Sequence, residues 1–317
     1  MISAMRCLIT VPRYTQSSNG SFVPAGGRQE SRLVHMVVRG KAVFKAKMTA
    51  KFRSVFGEGK PVIAMVHLGA LPGSPLHDPV GGIDEIVAAA RRDLVALQAA
   101  GFDAVMFGNE NDRPYEFSVD PASTATMGYA IGRLKSELTV PFGVNVLWDP
   151  ISSIAVAAAT GAHFVREIFT GAYASDMGPW TPDAGKAMRY RDRLGRQDLA
   201  LLYNVSAEFA FSLDQRPLSD RARSAVFSSI PDAILVSGAI TGEAARMVDL
   251  EAVKRVLPAT PVLANTGVKH ATVKDVLEVA DGCIVGSSLK VDGDTWKAVD
   301  AERAAEFMRL VRAARGY

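Results

Sequence analysis

From residue 61 onward the chain alternates short apolar runs with longer stretches in which apolar residues recur every three to four positions. The runs are 61–68, 104–107, 141–148, 164–169, 199–206, 233–237, 261–265 and 282–285, rich in Val, Ile, Leu and Phe. Near-continuous apolar character is expected of parallel strands covered on both faces. The stretches between them predict helices over 83–100, 121–138, 150–160, 184–194, 218–227, 249–257 and 272–279, with a last one over 301–314. Their punctuation is that of helices. Asp120-Pro121 and Asp149-Pro150 pair an N-cap with proline in the first turn, and Gly101 and Gly161 stand as C-terminal stops. Eight strand-then-helix units in about 250 residues predict an α/β chain closed into a (β/α)8 barrel, a TIM barrel. An open doubly wound sheet is the competing arrangement, but Leu68–Gly73 does not supply the G-x-G-x-x-G turn that would accompany it.

A barrel carries its chemistry at the C-terminal ends of its strands. Those ends read His67, Asn109 and Glu110, Asn145, Arg166 and Glu167, Asn204, Ser237, Asn265 and Ser287. Alternation turns Asn145, Asn204 and Asn265 inward, where an amide is costly unless hydrogen-bonded, to a ligand or to one another. We therefore expect Asn109, Asn145, Arg166, Asn204, Ser237 and Asn265 to bind substrate, with Glu110, Glu167 or His67 moving protons. Asn109 and Glu110 cannot both follow the strand alternation unless the chain bulges at Gly108. Small residues after the sixth, seventh and eighth strands (Gly238, Thr266, Gly267, Gly286 and Ser287) suit a phosphate cradled by backbone N–H groups. Glu110, Asp149 and Glu208, if convergent, would make an oxygen site for Mg2+. The long loop 170–183 reads as a mobile lid whose Tyr173 and Trp180 cover a ligand, or as an oligomer contact using the same aromatics. No lysine stands at a strand end except Lys290, which speaks against a Schiff-base reaction.

Composition changes this picture at one end of the chain. The net charge of +3 conceals a leader, residues 1–47, with eight Lys or Arg against the single acid Glu30, so the remainder is net acidic. The basic balance therefore does not indicate a nucleic-acid partner. The leader lacks periodicity, and we read it as a disordered arm or as the product of a misplaced start ahead of Met48, with a targeting segment as the third reading. The folded domain is expected over 48–317. Two cysteines, Cys7 and Cys283, set no disulfide or metal framework and fit a reducing, cytoplasmic setting. No apolar run approaches the roughly 18 residues that cross a bilayer.

Several segments together resemble the BtpA family, which includes proteins called SgcQ. They are Phe107–Tyr115 (FGNENDRPY), Pro141–Pro150 (PFGVNVLWDP), Phe164–Gly178 (FVREIFTGAYASDMG), Pro231–Gly238 (PDAILVSG), Asn265–Val268 (NTGV) and Asp281–Trp296 (DGCIVGSSLKVDGDTW). The likeness runs from about residue 60 to 314 and leaves the leader out. It implies a phosphate-binding barrel of the ribulose-phosphate type, and it supplies no set of catalytic residues to carry over. The resemblance also opens two functions. One is an enzyme acting on a small phosphorylated or polyhydroxylated carbohydrate, by isomerisation, aldol-type cleavage or hydrolysis. The other, suggested by the family's name in photosystem I biogenesis, is a non-catalytic assembly factor for a membrane protein complex.

Overall fold

The computed structural model describes residues 14–16, 22–24 and 50–316. Within the unit Met1–Lys47, Tyr14–Gln16 pairs antiparallel with Phe22–Pro24. The remainder of the expected leader, with Cys7, lies outside the described residues.

In the unit Met48–Tyr317 eight parallel strands close on themselves. They are β1 (Val62–His67), β2 (Ala104–Gly108), β3 (Phe142–Asn145), β4 (Phe164–Glu167), β5 (Ala200–Asn204), β6 (Ala233–Val236), β7 (Val262–Ala264) and β8 (Cys283–Val285), each hydrogen-bonded to the next and β8 returning to β1. The helices α1 (Gly82–Ala100), α2 (Pro121–Leu134), α3 (Pro150–Thr160), α4 (Ala184–Arg193), α5 (Leu218–Ser229), α6 (Met247–Val256), α7 (Val273–Val279) and α8 (Ala301–Arg315) follow the strands in turn. Asp120, Asp149 and Asp300 cap α2, α3 and α8 through side-chain oxygens, satisfying N–H groups that a helix start leaves unpaired.

Strand alternation divides the apolar residues into two layers. Ile63, Met65, Met106, Phe164, Leu202, Leu235, Leu263 and Ile284 fill the barrel interior. Their neighbours Val62, Val105, Val144, Val165, Leu201, Tyr203, Ile234 and Val262 pack outward under the helices. Gly143 allows this filling, because a Cβ there would stand 2.2 Å from the Phe164 ring. A helix at 50–56, not foreseen from the pattern, brings Phe52 into the interior cluster and sets the Phe56 ring 5.1 Å from that of Phe164 at a tilt of 56°.

The third strand is shorter than the apolar run that predicts it. It stops at Asn145, and Val146–Trp148 turn toward the cap of α3, with Trp148 in the left-handed region at φ 69°. The loop after β4 corrects the lid expectation. Tyr173–Ser175 and Gly178–Trp180 form a hairpin that pairs with Ala210–Ser212 into a three-stranded sheet. Tyr173 and Trp180 are buried with Trp148, Ile168 and Ala207, and Phe117 stacks on Trp180 at 5.3 Å. Aromatics spent in such a cluster pin the segment to the rim.

Candidate active site

The mouth at the C-terminal end of the barrel is lined by His67, Glu110, Arg166, Glu167, Glu208, Asn265, Thr266, Gly267, Gly286 and Ser287, with an apolar wall that includes Trp148, Ile168 and Phe209. The space inside it that a water-sized molecule can enter is ≈ 50 Å³, and it opens outward to solvent. Eight of the strand-end residues expected from alternation are buried polar groups: Asn109, Glu110, Asn145, Arg166, Glu167, Asn204, Ser237 and Asn265.

Arg166, on β4, is the hub. It donates to Asn145 Oδ1 (2.7 Å) and forms an ion pair with Glu208. The Asn265 amide turns its oxygen to the same guanidinium and accepts from Ser237 Oγ at 2.7 Å. Asn145 donates in turn to Glu167 Oε1 (2.7 Å) and to the Arg166 carbonyl (2.9 Å). Asn204 donates to Ser237 Oγ (2.8 Å) and accepts from the Ser206 N–H. This saturation corrects the expectation that Asn145 and Asn204 meet the substrate. Both are fully buried, stand off the cavity wall and spend their amides on neighbours. Ser237 joins them in that layer. They act as supports that fix the guanidinium and the carboxylate, while Arg166 and Asn265 reach the mouth.

On β2 the register question has a definite answer. Glu110 faces the mouth and folds back over Gly108, where a Cβ would meet its carboxylate at 2.5 Å. Asn109 turns aside, accepting from the Leu147 N–H at 2.8 Å, and belongs to a neighbouring depression with Asp112 and Tyr115. It is corrected from a substrate contact of the mouth to a brace between the loops after β2 and β3.

Glu110 Oε1 lies 3.5 Å from His67 Nε2, the two side chains 7% and 4% exposed. Each keeps one polar atom without a partner, Glu110 Oε2 and His67 Nδ1. Burial lowers the His67 pKa to about 3, helped by the Lys290 ammonium, so the ring is neutral at pH 7 and its contact with Glu110 is no ion pair. Burial also raises Glu110 to about 7, against the opposing pull of Arg166 and Lys290. Glu167 is raised to about 7 by burial as well, although Arg166 and the N–H groups of Ile168 and Trp148 oppose it. Two carboxyl groups whose pKa values burial raises toward neutrality, beside an imidazole and a guanidinium, can take up and release protons and hold a developing oxyanion. Lys290 is no free amine. It is buried and paired with Asp93 on α1 at 2.7 Å, and no lysine lines the mouth.

At the far side of the mouth, Gly267, Gly286 and Ser287 line both this cavity and a broader outer cleft with Lys269, His270 and Arg303. Among the described residues the N–H groups of Gly267, Val268, Ser287 and Ser288 have no acceptor. Gly267, at φ +63°, admits the loop after β6 so closely that a Cβ would meet Ala244 N at 2.2 Å. Gly238 is a correction. Its N–H is taken by Thr266 Oγ1 (2.9 Å), and Thr266 Oγ1 donates onward to the Glu243 carbonyl (2.9 Å). Gly238 therefore anchors the loop after β6, and Gly242 from that loop lines the mouth in its place.

The Mg2+ expectation also needs correction. Asp149 accepts from the N–H groups of Val119, Ile151 and Ser152 and from Ser152 Oγ, so it is a structural cap away from the mouth. Glu208 is held by Arg166 and by Thr241 Oγ1 at 3.2 Å. Asp149 does not join Glu110 and Glu208 at the mouth, and among the described residues no three His, Cys, Asp or Glu side chains gather as a metal set.

Three of the mouth's residues, Trp148 (φ 69°), Phe209 (φ 52°) and Thr266 (φ 51°), hold left-handed backbone without being glycine. Such conformations cost energy and collect where surrounding structure enforces a geometry. Phe209, Thr241 and the apolar wall were not foreseen. They lie in loops whose path follows from tertiary packing, and no periodicity marks them.

The BtpA family pattern matches residues 58–313. The sgc region protein SgcQ of Escherichia coli (strain K12) is 46% identical over 259 residues, covering 82% of this chain and 97% of that protein. The photosystem I biogenesis protein BtpA of Synechocystis is 32% identical over 259 residues, covering 81% and 89%. Among solved structures, phosphoribosyl anthranilate isomerase from Thermus thermophilus superposes with a TM-score of 0.50 at 11% identity, covering 80% of this chain and 100% of that one. Dihydropteroate synthase from Xanthomonas albilineans gives 0.50 at 15% identity, covering 82% and 96%. At such identities the structural likeness speaks for the barrel alone. The sequence likeness is of another order, extending through nearly all of the barrel and ending short of the leader, and on it this chain belongs to the BtpA family.

Proposed function

We propose that this protein is an enzyme acting on a small phosphorylated, polyhydroxylated substrate bound in the barrel mouth. The observation that carries the reading is the convergence of Glu110, a buried carboxyl with Oε2 unpartnered and its pKa raised to about 7, with the Arg166 guanidinium in one cavity. A charge buried without full pairing is costly, and a site whose only task was stability would have little reason to keep one.

In this reading the phosphate sits against the free N–H groups of Gly267 and Ser287, beside Gly286 and Thr266. Arg166 and Asn265 receive the substrate's hydroxyl or carbonyl oxygens. Glu110 carries the proton, with Glu167 and His67 completing the polar wall. Asn145, Asn204 and Ser237 serve by holding these groups in place, as supporting hydrogen bonds commonly do. The assembly-factor alternative draws on the name of the Synechocystis relative. The two separate in a thermal-shift screen with sugar phosphates, with and without Mg2+. The enzyme reading expects stabilisation by a subset of sugar phosphates that is lost in Arg166→Met. No shift with any of them, together with undiminished cellular function of Glu110→Ala, refutes it.

A further inference from the structure

Several kinds of sugar chemistry fit a phosphate cup beside acid–base groups, and the atoms of this mouth separate them. A Schiff-base route needs an unengaged amine, and among the described residues the buried lysine near the mouth, Lys290, is held by Asp93 at 2.7 Å. A general base needs a free lone pair at the cavity. Glu167 accepts from Asn145 Nδ2 (2.7 Å) and the Trp148 N–H (2.9 Å) on one oxygen and from the Ile168 N–H on the other. Glu110 lines the mouth, its buried Oε2 accepts from nothing and its Oε1 meets His67 only at 3.5 Å, so Glu110 is the less engaged of the two carboxylates. Its neighbour His67 is an imidazole whose Nδ1 has no aligned partner, with the Thr295 backbone the one hydrogen-bonding group of the protein that acts on the ring. Gly286 gives the His67 ring its room, since a Cβ there would stand 3.2 Å from the ring's Cε1 and Nε2.

Resting on the reading that the mouth binds a small sugar phosphate, the geometry points to the reaction: transfer of a proton between adjacent carbons of an α-hydroxycarbonyl phosphate, with Glu110 as base and His67 as hydrogen-bond donor to the carbonyl oxygen. Glu110 carboxylate removes the C–H proton of the carbinol carbon. The freed electron pair becomes the second bond of a C=C, and the carbonyl π pair moves onto oxygen. His67 Nε2–H and the Arg166 guanidinium hold that enediolate oxygen. The hydroxyl proton passes to it by way of the imidazole. Glu110 then returns its proton to the former carbonyl carbon as the neighbouring C=O forms. One hydrogen has moved between carbons and one between oxygens, with no oxidant or reductant. A buried imidazole kept neutral suits this role, because its Nε2–H can be delivered to the enediolate oxygen and the same nitrogen then takes the hydroxyl proton, which returns the ring to neutrality. The 3.5 Å between Glu110 Oε1 and His67 Nε2 sets base and donor on one side of a two-carbon unit.

The test is deuterium wash-in. The full chain is incubated in D2O with dihydroxyacetone phosphate, ribulose 5-phosphate or fructose 6-phosphate, and carbon-bound hydrogen is followed by proton NMR. Binding of the same compounds is measured in parallel by calorimetry. We expect enzyme-dependent exchange at the carbon beside the carbonyl for at least one probe. Glu110→Gln should slow it by 10²–10⁴-fold, with binding of that probe kept within a few-fold. His67→Asn should slow exchange less than Glu110→Gln does. Binding of one or more probes with exchange of none overturns this inference and leaves the proposed function standing. Absence of both binding and exchange across the three compounds overturns the two together. Exchange that persists in Glu110→Gln also overturns it, by moving the base elsewhere.

Discussion

At the residue scale the mouth trades stability for protonation chemistry. Glu110 is faced by His67, Arg166, Glu208 and Lys290, and burial outweighs the cations among them. Because its folded pKa is raised from 4.5 to about 7, the folded state holds this proton more tightly than the unfolded chain. The resulting penalty is absent below about pH 4.5, grows between 4.5 and 7, and is complete above 7. Glu110→Gln, which is neutral throughout, should therefore be more stable than the wild type at pH 8 by an amount on the order of 1–3 kcal/mol, and nearly equal to it at pH 4.5. Urea unfolding at both pH values checks this, and a variant less stable than the wild type at pH 8 contradicts the argument. Arg166 has the opposite sign. Removing it in Arg166→Met strands Glu208 and leaves the Asn145 and Asn265 oxygens short of a donor. Loss of one partner of a buried pair costs about 3–5 kcal/mol, and the same unfolding experiment should show a loss of that size at pH 7.

At the scale of elements, what was legible and what was not follow from how local each cause is. Parallel strands covered on both faces betray themselves as apolar runs, and the Asp-Pro starts and Gly stops of the helices are local chemistry, so all eight strand-and-helix units could be read. The inward turn of Asn145, Asn204 and Asn265 also follows from alternation within a strand. Whether an inward amide meets a ligand or a neighbour depends on residues far away in sequence, and there the reading erred for Asn145 and Asn204. Asn109, Asp149 and Gly238 were misassigned for the same reason, since the partners of their polar atoms include loops from other units. The segment after β4 shows the limit most plainly. Its composition suits a lid, but Trp180 meets Phe117, Trp148 and Tyr173, which come from three loops. Trp180→Ala should cost about 3–5 kcal/mol, as truncation of a buried large aromatic does, and should make 170–183 susceptible to limited proteolysis that the wild type resists. Cleavage of the wild type at the same rate would restore the lid.

At the scale of the whole molecule, the two sides of the mouth come from opposite parts of the chain. Glu110 follows the second strand and Arg166 lies on the fourth, whereas Gly267, Gly286 and Ser287 follow the last two strands. A substrate held at both sides ties the ends of the barrel's sequence through one ligand, and whatever binds only the folded state stabilises it by mass action. At a concentration 100 times its dissociation constant, a bound sugar phosphate should add about 2.7 kcal/mol, which for a domain of this size means a rise of roughly 5–10 °C in melting temperature. The two sides should contribute differently. Ser287→Ala leaves the Ser287 N–H in place and removes only a hydroxyl that already pairs with Thr295 Oγ1 at 2.5 Å, so it should retain most of the rise. Gly267→Ala sets a side chain against Ala244 N and should lose the rise relative to its own ligand-free melting point. A loss of equal size in both variants would place the phosphate on the Ser287 hydroxyl, and full retention in both would move it out of this cup.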